Sequence, residues 1–264
     1  MSSILVPVDF TDTCKTAIRY AHGMSQQMNM SITLLHVAEN ESDKHTAEGK
    51  MQSLKSEFDF GTTAVDSKIE VGDFLEDIGR IADLLGQHFI VMGTHGERGL
   101  QRVFGSFALK VVKSSKVALV IVQNETVYKP IGKIAMTIDL ARESTQILKH
   151  ASSLAKYYNA ELHLVGGKHS DADFRADVLT NMRICKEFLT KNGVAHDIHL
   201  LDRQGFDKNL IEFCSANDVD MLAASHYQNT LYMFSDKFVQ QLIMNKLHIP
   251  LITIEATSTS NLFY

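Results

Sequence analysis

Short apolar runs alternate with segments of helical periodicity in the first half of the chain. Four runs are continuous and rich in β-branched residues, as buried strands are: ILVPV (4–8), ITLLHV (32–37), FIVMG (89–93) and VALVIV (117–122). A fifth, more polar strand is predicted near 67–71. Between the first two runs, apolar residues recur at helical spacing: Ala17, Ala21, Met24 and Met28. This alternation predicts a parallel sheet with helices on both faces.

The second half repeats the first. At an offset of 130 residues Asp9 matches Asp139 and Leu34 matches Leu164, with apolar positions conserved in kind around them. A two-fold repeat of this length indicates a domain duplication.

A polar segment at 124–133 separates the repeats and is predicted to be a linker. We therefore expect domains at 1–125 and 132–264. The predicted fold class is α/β, with two tandem doubly wound domains that each contain a five-stranded parallel sheet.

Composition narrows the function classes. The net charge of −5 offers no basic field for nucleic acid or an anionic membrane. No apolar run approaches the roughly 18 residues of a membrane span, and the three cysteines form no CxxC pair. We expect a cytoplasmic protein whose partners are neither nucleic acid nor membrane.

Candidate chemistry lies where strand order should reverse, at the carboxyl ends of the first and fourth strands. Pro7 and Asp9 form the turn after the first strand. The loop after the fourth strand reads GTHGERGLQRVFGS (93–106), in which glycines allow close backbone approach to a ligand. Ser106 would open a helix whose N-terminus favours anions, and Arg98 would add charge. The alternative is a glycine-rich loop that is only a tight turn, since neither the Walker A nor the GxGxxG pattern is present.

Three motifs of the first half resemble the universal stress protein family: VPVDF (6–10), LLHV (34–37) and VMGTHGxxGLxxxFGSxAxxV (91–111). The resemblance implies a five-stranded parallel α/β fold that binds ATP in members carrying G-x2-G-x9-G-(S/T). It implies these contacts: Asp9 and Val37 against adenosine, Met92 beside the base, Gly93 and Gly96 near the ribose and inner phosphates, and Gly105 and Ser106 at the outer phosphates.

The loop departs from the ATP-binding pattern by one residue, because eight residues and not nine separate Gly96 from Gly105. The stretch 100–104 could absorb the difference, or Ser106 could move by about 3 Å, enough to lose a hydrogen bond to an outer phosphate. The expected ligand is ATP with Mg²⁺, with ADP or AMP as alternatives.

The second half lacks the glycine loop. Ala224 occupies the position that matches Gly93, and Tyr227 occupies the position that matches Gly96. Asp236 brings negative charge close to the expected phosphate position. We expect a degenerate domain kept for packing and assembly.

Other functions are less favoured. No residue is an evident general base, so we predict no catalytic residues and at most slow ATP hydrolysis. His196 and His199 are three apart on a predicted strand and should point to opposite faces, which makes a poor metal pair. The alternative function is an assembly or signalling protein of the same fold that binds no nucleotide.

The resemblance also implies pairing of the domains through their fifth strands, VALVIV (117–122) and PLITI (250–254). Each is an apolar edge that invites association, and a short linker raises the local concentration of its partner. We expect an intramolecular pseudo-dimer, with further homo-oligomerisation left open.

Overall fold

A computed structural model describes residues 2–94, 106–227 and 236–257. The chain divides into two compact units, Met1–Tyr128 and Lys129–Tyr264, called here the first and second domains. None of the helices in the described ranges combines the length and hydropathy needed to cross a bilayer.

The first domain contains a five-stranded parallel sheet in the order β3-β2-β1-β4-β5. Its strands are β1 (Ser3–Pro7), β2 (Ser31–Ala38), β3 (Val65–Val71), β4 (Phe89–Gly93) and β5 (Ala118–Val122). Its described helices are α1 (Asp12–Met28), α2 (Glu41–Ser56), α3 (Phe74–Leu84) and α4 (Ser106–Ser114).

The second domain has the same strand order, β8-β7-β6-β9-β10. Its strands are β6 (Lys133–Ile138), β7 (Glu161–Lys168), β8 (His196–Asp202), β9 (Met221–His226) and β10 (Leu251–Glu255). Its described helices are α5 (Leu148–Tyr158), α6 (Ala172–Lys191), α7 (Phe206–Ala216) and α8 (Asp236–Ile243). The predicted α/β fold with a parallel sheet in each domain is confirmed.

Hydrophobic burial explains which strands are central. Every residue of β1 and β5 is buried, and so are the first four residues of β4. Strands buried on both faces need helices on both faces. By contrast β3, at the edge of the sheet, has a mainly polar sequence and no fully buried residue.

Helix ends show both the repeat and its limits. α1 and α5 each end at an asparagine in the left-handed conformation, Asn29 (φ 52°) and Asn159 (φ 52°), which stops a helix at low cost. Their beginnings differ. Thr11 caps α1 by accepting a hydrogen bond from the backbone N–H of Cys14 (3.4 Å), whereas the second domain has a 3₁₀ turn at Arg142–Thr145 before α5 begins. The two domains therefore diverge just after their first strands, where a ligand would bind.

Candidate functional site

The carboxyl ends of β1 and β4 lie side by side, because Ile4 pairs with Phe89 and Leu5 with Ile90. This is the point where strand order reverses, and ligands of such sheets bind there. A small cleft at this point is lined by Pro7, Asp9, Thr11, Thr13, Cys14, Phe74, Met92 and Gly93. Four of the residues predicted from the sequence therefore meet at one place.

The other predicted residues lie elsewhere or cannot be described. Val37 is buried near the end of β2 and is not among the residues lining the cleft. Gly96, Arg98 and Gly105 lie outside the described residues. Ser106 is the first residue of α4, but its side chain lies outside the described part.

Asp9 organises the turn after β1. Its Oδ1 accepts hydrogen bonds from the backbone N–H (3.0 Å) and the hydroxyl (2.6 Å) of Thr11. Because Thr11 in turn caps α1, the carboxylate of Asp9 links the strand to the helix that follows it. His36 ties the end of β2 to the same turn by donating from Nδ1 to the carbonyl of Val8 (2.7 Å).

Phe10 is a feature that sequence reasoning missed. Its φ of 63° is unusual for a residue other than glycine. The centroid of the Phe10 ring lies 4.7 Å from the centroid of the His36 ring. The Lys50 ammonium lies 5.7 Å from the centroid of the Phe10 ring. No local pattern signals a left-handed phenylalanine, because tertiary contacts to β2 and α2 surround it. Backbone strain of this kind concentrates at functional sites.

Gly93 has a steric reason to be glycine. A Cβ at this position would lie 2.6 Å from Cγ2 and 2.7 Å from the carbonyl oxygen of Thr13. The absence of a side chain thus lets α1 approach the end of β4.

The cleft beside Gly93 has a volume of about 10 Å³, close to the minimum for one water molecule.

Cys14 is not a reactive thiolate, although it lies near a helix N-terminus, where thiolates are often stabilised. Burial, reinforced by the negative charge of Asp9, raises the pKa of its thiol to about 12. The side chain is a protonated, buried part of the packing beneath the cleft.

In the second domain a tyrosine occupies the corresponding region. Tyr227 follows β9 directly and donates a hydrogen bond from its hydroxyl to Oδ2 of Asp139 (3.0 Å), the residue that matches Asp9. Both are enclosed, with 4% of Tyr227 and 1% of Asp139 exposed. Asn181 of α6 donates to the carbonyls of Asp139 (2.8 Å) and Leu140 (3.0 Å), which fixes the backbone of the turn.

His226 lies beside this tyrosine and joins three elements. Its Nδ1 contacts the carboxylate of Glu255 on β10, and its Nε2 lies 2.6 Å from Oδ1 of Asp236 at the start of α8. Burial alone lowers the pKa of this imidazole, but the hydrogen bonds and charges of the two carboxylates outweigh burial and raise the pKa above its usual value. A histidine between two carboxylates thus holds the end of β9.

A second histidine contact also escaped the sequence analysis. Nδ1 of His163 on β7 lies 2.9 Å from Nε2 of His199 on β8. The two histidines are 36 residues apart in sequence, and the pairing of β7 with β8 brings them together. Within residues 2–94, 106–227 and 236–257, no group of three or more histidine, cysteine or acidic residues is arranged to hold a metal ion.

Comparison with known proteins points to one family. A model described as "Universal stress protein family" matches residues 1–123. A universal stress protein of Methanocaldococcus jannaschii is 25% identical over 153 residues, which cover 46% of this chain and 94% of that protein.

Solved structures extend the match to both domains. A universal stress protein from Archaeoglobus fulgidus aligns over 96% of this chain and 98% of its own, with a TM-score of 0.76 and 16% identity. A putative universal stress protein from Pseudomonas aeruginosa aligns over 97% and 94%, with a TM-score of 0.62 and 14% identity. At these identities the structures show a shared fold.

The packing at Gly93 can be tested by Gly93→Ala. The new methyl group would overlap the backbone of Thr13, so we expect a loss of about 1–3 kcal/mol in the free energy of unfolding of the first domain. Gly49→Ala in α2 is the matched control, because nothing lies within 4 Å of its added Cβ. Alanine is also a better helix former than glycine, so this control should be neutral or slightly stabilising. Equal stability of the two variants in urea denaturation would contradict the packing argument.

The raised pKa of His226 predicts a pH dependence of stability. The protonated form is favoured by folding, so its stabilisation is fully present below the unfolded-state pKa of about 6.5 and is lost as pH rises through the folded-state pKa. The stability difference between the unmodified protein and His226→Gln should therefore be larger at mildly acidic than at mildly alkaline pH. His45→Gln is the control, because the His45 side chain is 91% exposed. Denaturant unfolding at both pH values measures this, and a pH-independent difference for His226→Gln would refute it.

Proposed function

We propose that the chain is a universal stress protein, because the family model matches residues 1–123, and that its first domain binds one adenine nucleotide, ATP or ADP together with Mg²⁺. The second domain binds no nucleotide at the equivalent position. The protein would thus be a nucleotide-binding universal stress protein with a single site in each chain, acting in a stress response.

The observation that carries this proposal is the meeting of Asp9, Met92 and Gly93 at the reversal of strand order in the first domain. The family resemblance assigns adenosine and ribose contacts to these residues, and they line one cleft together with Pro7. Val37 remains a proposed contact to the base from the neighbouring strand.

The phosphate end of the proposed site depends on the glycine loop. Gly96, Gly105 and Ser106 would offer backbone N–H groups and a hydroxyl to the phosphates, and the N-terminus of α4 would add its dipole. Arg98 would add positive charge. These contacts are proposed from the sequence, and the loop is one residue shorter than the ATP-binding pattern, so ADP and AMP are ligands to compare with ATP.

The asymmetry between the domains is supported by the contacts of Tyr227. In the second domain its hydroxyl donates a hydrogen bond to the carboxylate of Asp139, in the position where a nucleotide would need both space and a free polar group. Breaking a buried hydrogen bond of this kind costs about 1–3 kcal/mol, which a ligand would have to offset before gaining any affinity.

The proposal concerns binding and not turnover. Asp9 holds Thr11 in the turn and Cys14 is a protonated thiol, so neither residue is arranged as a general base. Pairing of the fifth strands and a cytoplasmic location stay predictions of the sequence.

Calorimetric titration with ATP and ADP in the presence of Mg²⁺ tests the proposal. We expect one site per chain with micromolar affinity, about −8 kcal/mol. Gly96→Val should abolish binding, because a β-branched side chain blocks close approach of the backbone to the ligand. Asp9→Ala should weaken binding by about 1–3 kcal/mol. Tyr227→Phe is the control in the second domain and should leave nucleotide affinity unchanged.

Two results would contradict the proposal. The absence of both heat and thermal stabilisation at millimolar nucleotide would favour the alternative, an assembly or signalling protein of the same fold. Two equivalent sites per chain would refute the asymmetry between the domains.

A further inference from the structure

A second cleft, of about 680 Å³, opens in the second domain at the carboxyl ends of β7 and β8. It lies on the far side of β7 from β6, the strand that leads to Asp139. Segments 168–171 and 202–204, which begin at the last residues of β7 and β8, contribute to its walls together with Phe174 in the first turn of α6. Its volume is that of a typical site for a small molecule.

His169 is a buried wall of this cleft with unmet hydrogen-bonding capacity. Only 6% of the residue is exposed, and neither ring nitrogen has a hydrogen-bond partner within the described part of the chain. Burial, together with the positive charge of Arg203, lowers the pKa of the imidazole, so the ring is neutral and offers one donor and one acceptor. Buried polar groups are nearly always satisfied, so this histidine indicates a missing partner.

Arg203 also lines this cleft and supplies a positive charge. The residue is exposed, and no carboxylate of the described segments forms an ion pair with its guanidinium. Both acidic residues of the cleft have partners of their own. Asp171 accepts hydrogen bonds from the N–H groups of Asp173 (2.9 Å) and Phe174 (3.0 Å), and Asp202 lies 3.6 Å from Lys168.

Comparison of the two domains shows what changed at this cleft. In the first domain Asp73 caps α3 by accepting from the N–H groups of Leu75 and Glu76. The corresponding helix of the second domain, α7, begins after Gly205 and has no side-chain cap. An uncapped helix N-terminus attracts anions.

Two contacts prepare this end of α7. The side-chain amide of Asn209 donates to the carbonyls of Asp202 (2.9 Å) and Gln204 (3.0 Å), which holds the preceding loop in place. The acidic residue of the first turn, Asp207, accepts from Gln241 (3.0 Å). The second domain therefore has no carboxylate cap at this helix, and Arg203 lies two residues before its N-cap Gly205.

We propose that this cleft binds a small oxyanion, a carboxylate or a phosphate monoester, carried on a flat ring. Arg203 and the N-terminus of α7 receive the anion. His169 hydrogen-bonds to a polar substituent of the ring, and the half-exposed ring of Phe174, whose centroid lies 6.0 Å from that of His169, packs against it. This site goes beyond the proposed nucleotide function, because it lies wholly in the second domain.

Ligand-observed NMR measures the binding of benzoate and phenyl phosphate to the full chain, and so tests whether the cleft recognises a negative charge. We expect millimolar or tighter binding of at least one probe, and none of uncharged benzyl alcohol. Arg203→Gln should weaken binding about tenfold or more, the loss of one charged contact. Arg183→Gln, an exposed arginine in the middle of α6, is the matched control and should have no effect. ATP affinity should be unchanged in both variants.

The role of His169 has its own readout. 4-Hydroxybenzoate should bind more tightly than benzoate to the unmodified protein, and His169→Phe should remove this preference while benzoate binding persists. Preference for benzoate or for phenyl phosphate identifies the oxyanion. Failure of both to bind at tens of millimolar, equal binding of benzyl alcohol, or affinity unaffected by Arg203→Gln would overturn the proposal.

Discussion

Reversal of strand order beside the first strand is the constraint on which both domains depend. Loops leave the two adjacent strands in opposite directions, so a crevice remains at their carboxyl ends. The chain meets this constraint in two ways. In the first domain Gly93 lets α1 close against β4 and leaves a shallow cleft beside Asp9, whereas in the second domain Tyr227 is buried against Asp139.

The filling of the second crevice has electrostatic consequences. Asp139 is almost fully buried and accepts a hydrogen bond from the hydroxyl of Tyr227. His226 lies between the carboxylates of Glu255 and Asp236. The polar groups of this crevice thus find their hydrogen-bond and charge partners within the chain, and not in a bound ligand. A different cleft of the second domain, at the carboxyl ends of β7 and β8, is lined by Arg203 and by His169, whose ring nitrogens have no hydrogen-bond partner in the described segments.

The features that could be predicted from the sequence are those that local residue patterns determine, namely the buried strands and the turn after β1. Continuous apolar runs located β1, β4 and β5, and the turn residues after β1 were expected at the strand-order reversal where they lie. β3 was expected only near 67–71 and spans Val65–Val71, because its exposed, polar residues give a weak signal. The predicted replacement of glycine by Tyr227 was read directly from the repeat.

The features that were missed all depend on tertiary neighbours. The positive φ of Phe10, the contact between His163 and His199, and the unpartnered ring of His169 arise from segments far apart in sequence. Periodicity assigns a residue to a strand or helix face but does not determine which distant side chain lies opposite. The 3₁₀ turn at Arg142–Thr145 likewise departs from the repeat, because α1 of the first domain begins at Asp12, directly after its cap Thr11.

Photoaffinity labelling of the full chain with an azido derivative of ATP, followed by peptide mapping, tests the central claim most directly. The account predicts that labelled peptides come from residues 1–128 and disappear when excess ATP competes, while peptides from 129–264 stay unlabelled. Competable labelling of the second domain, or labelling of neither domain, would contradict the division of the chain into one nucleotide-binding domain and one self-filled domain.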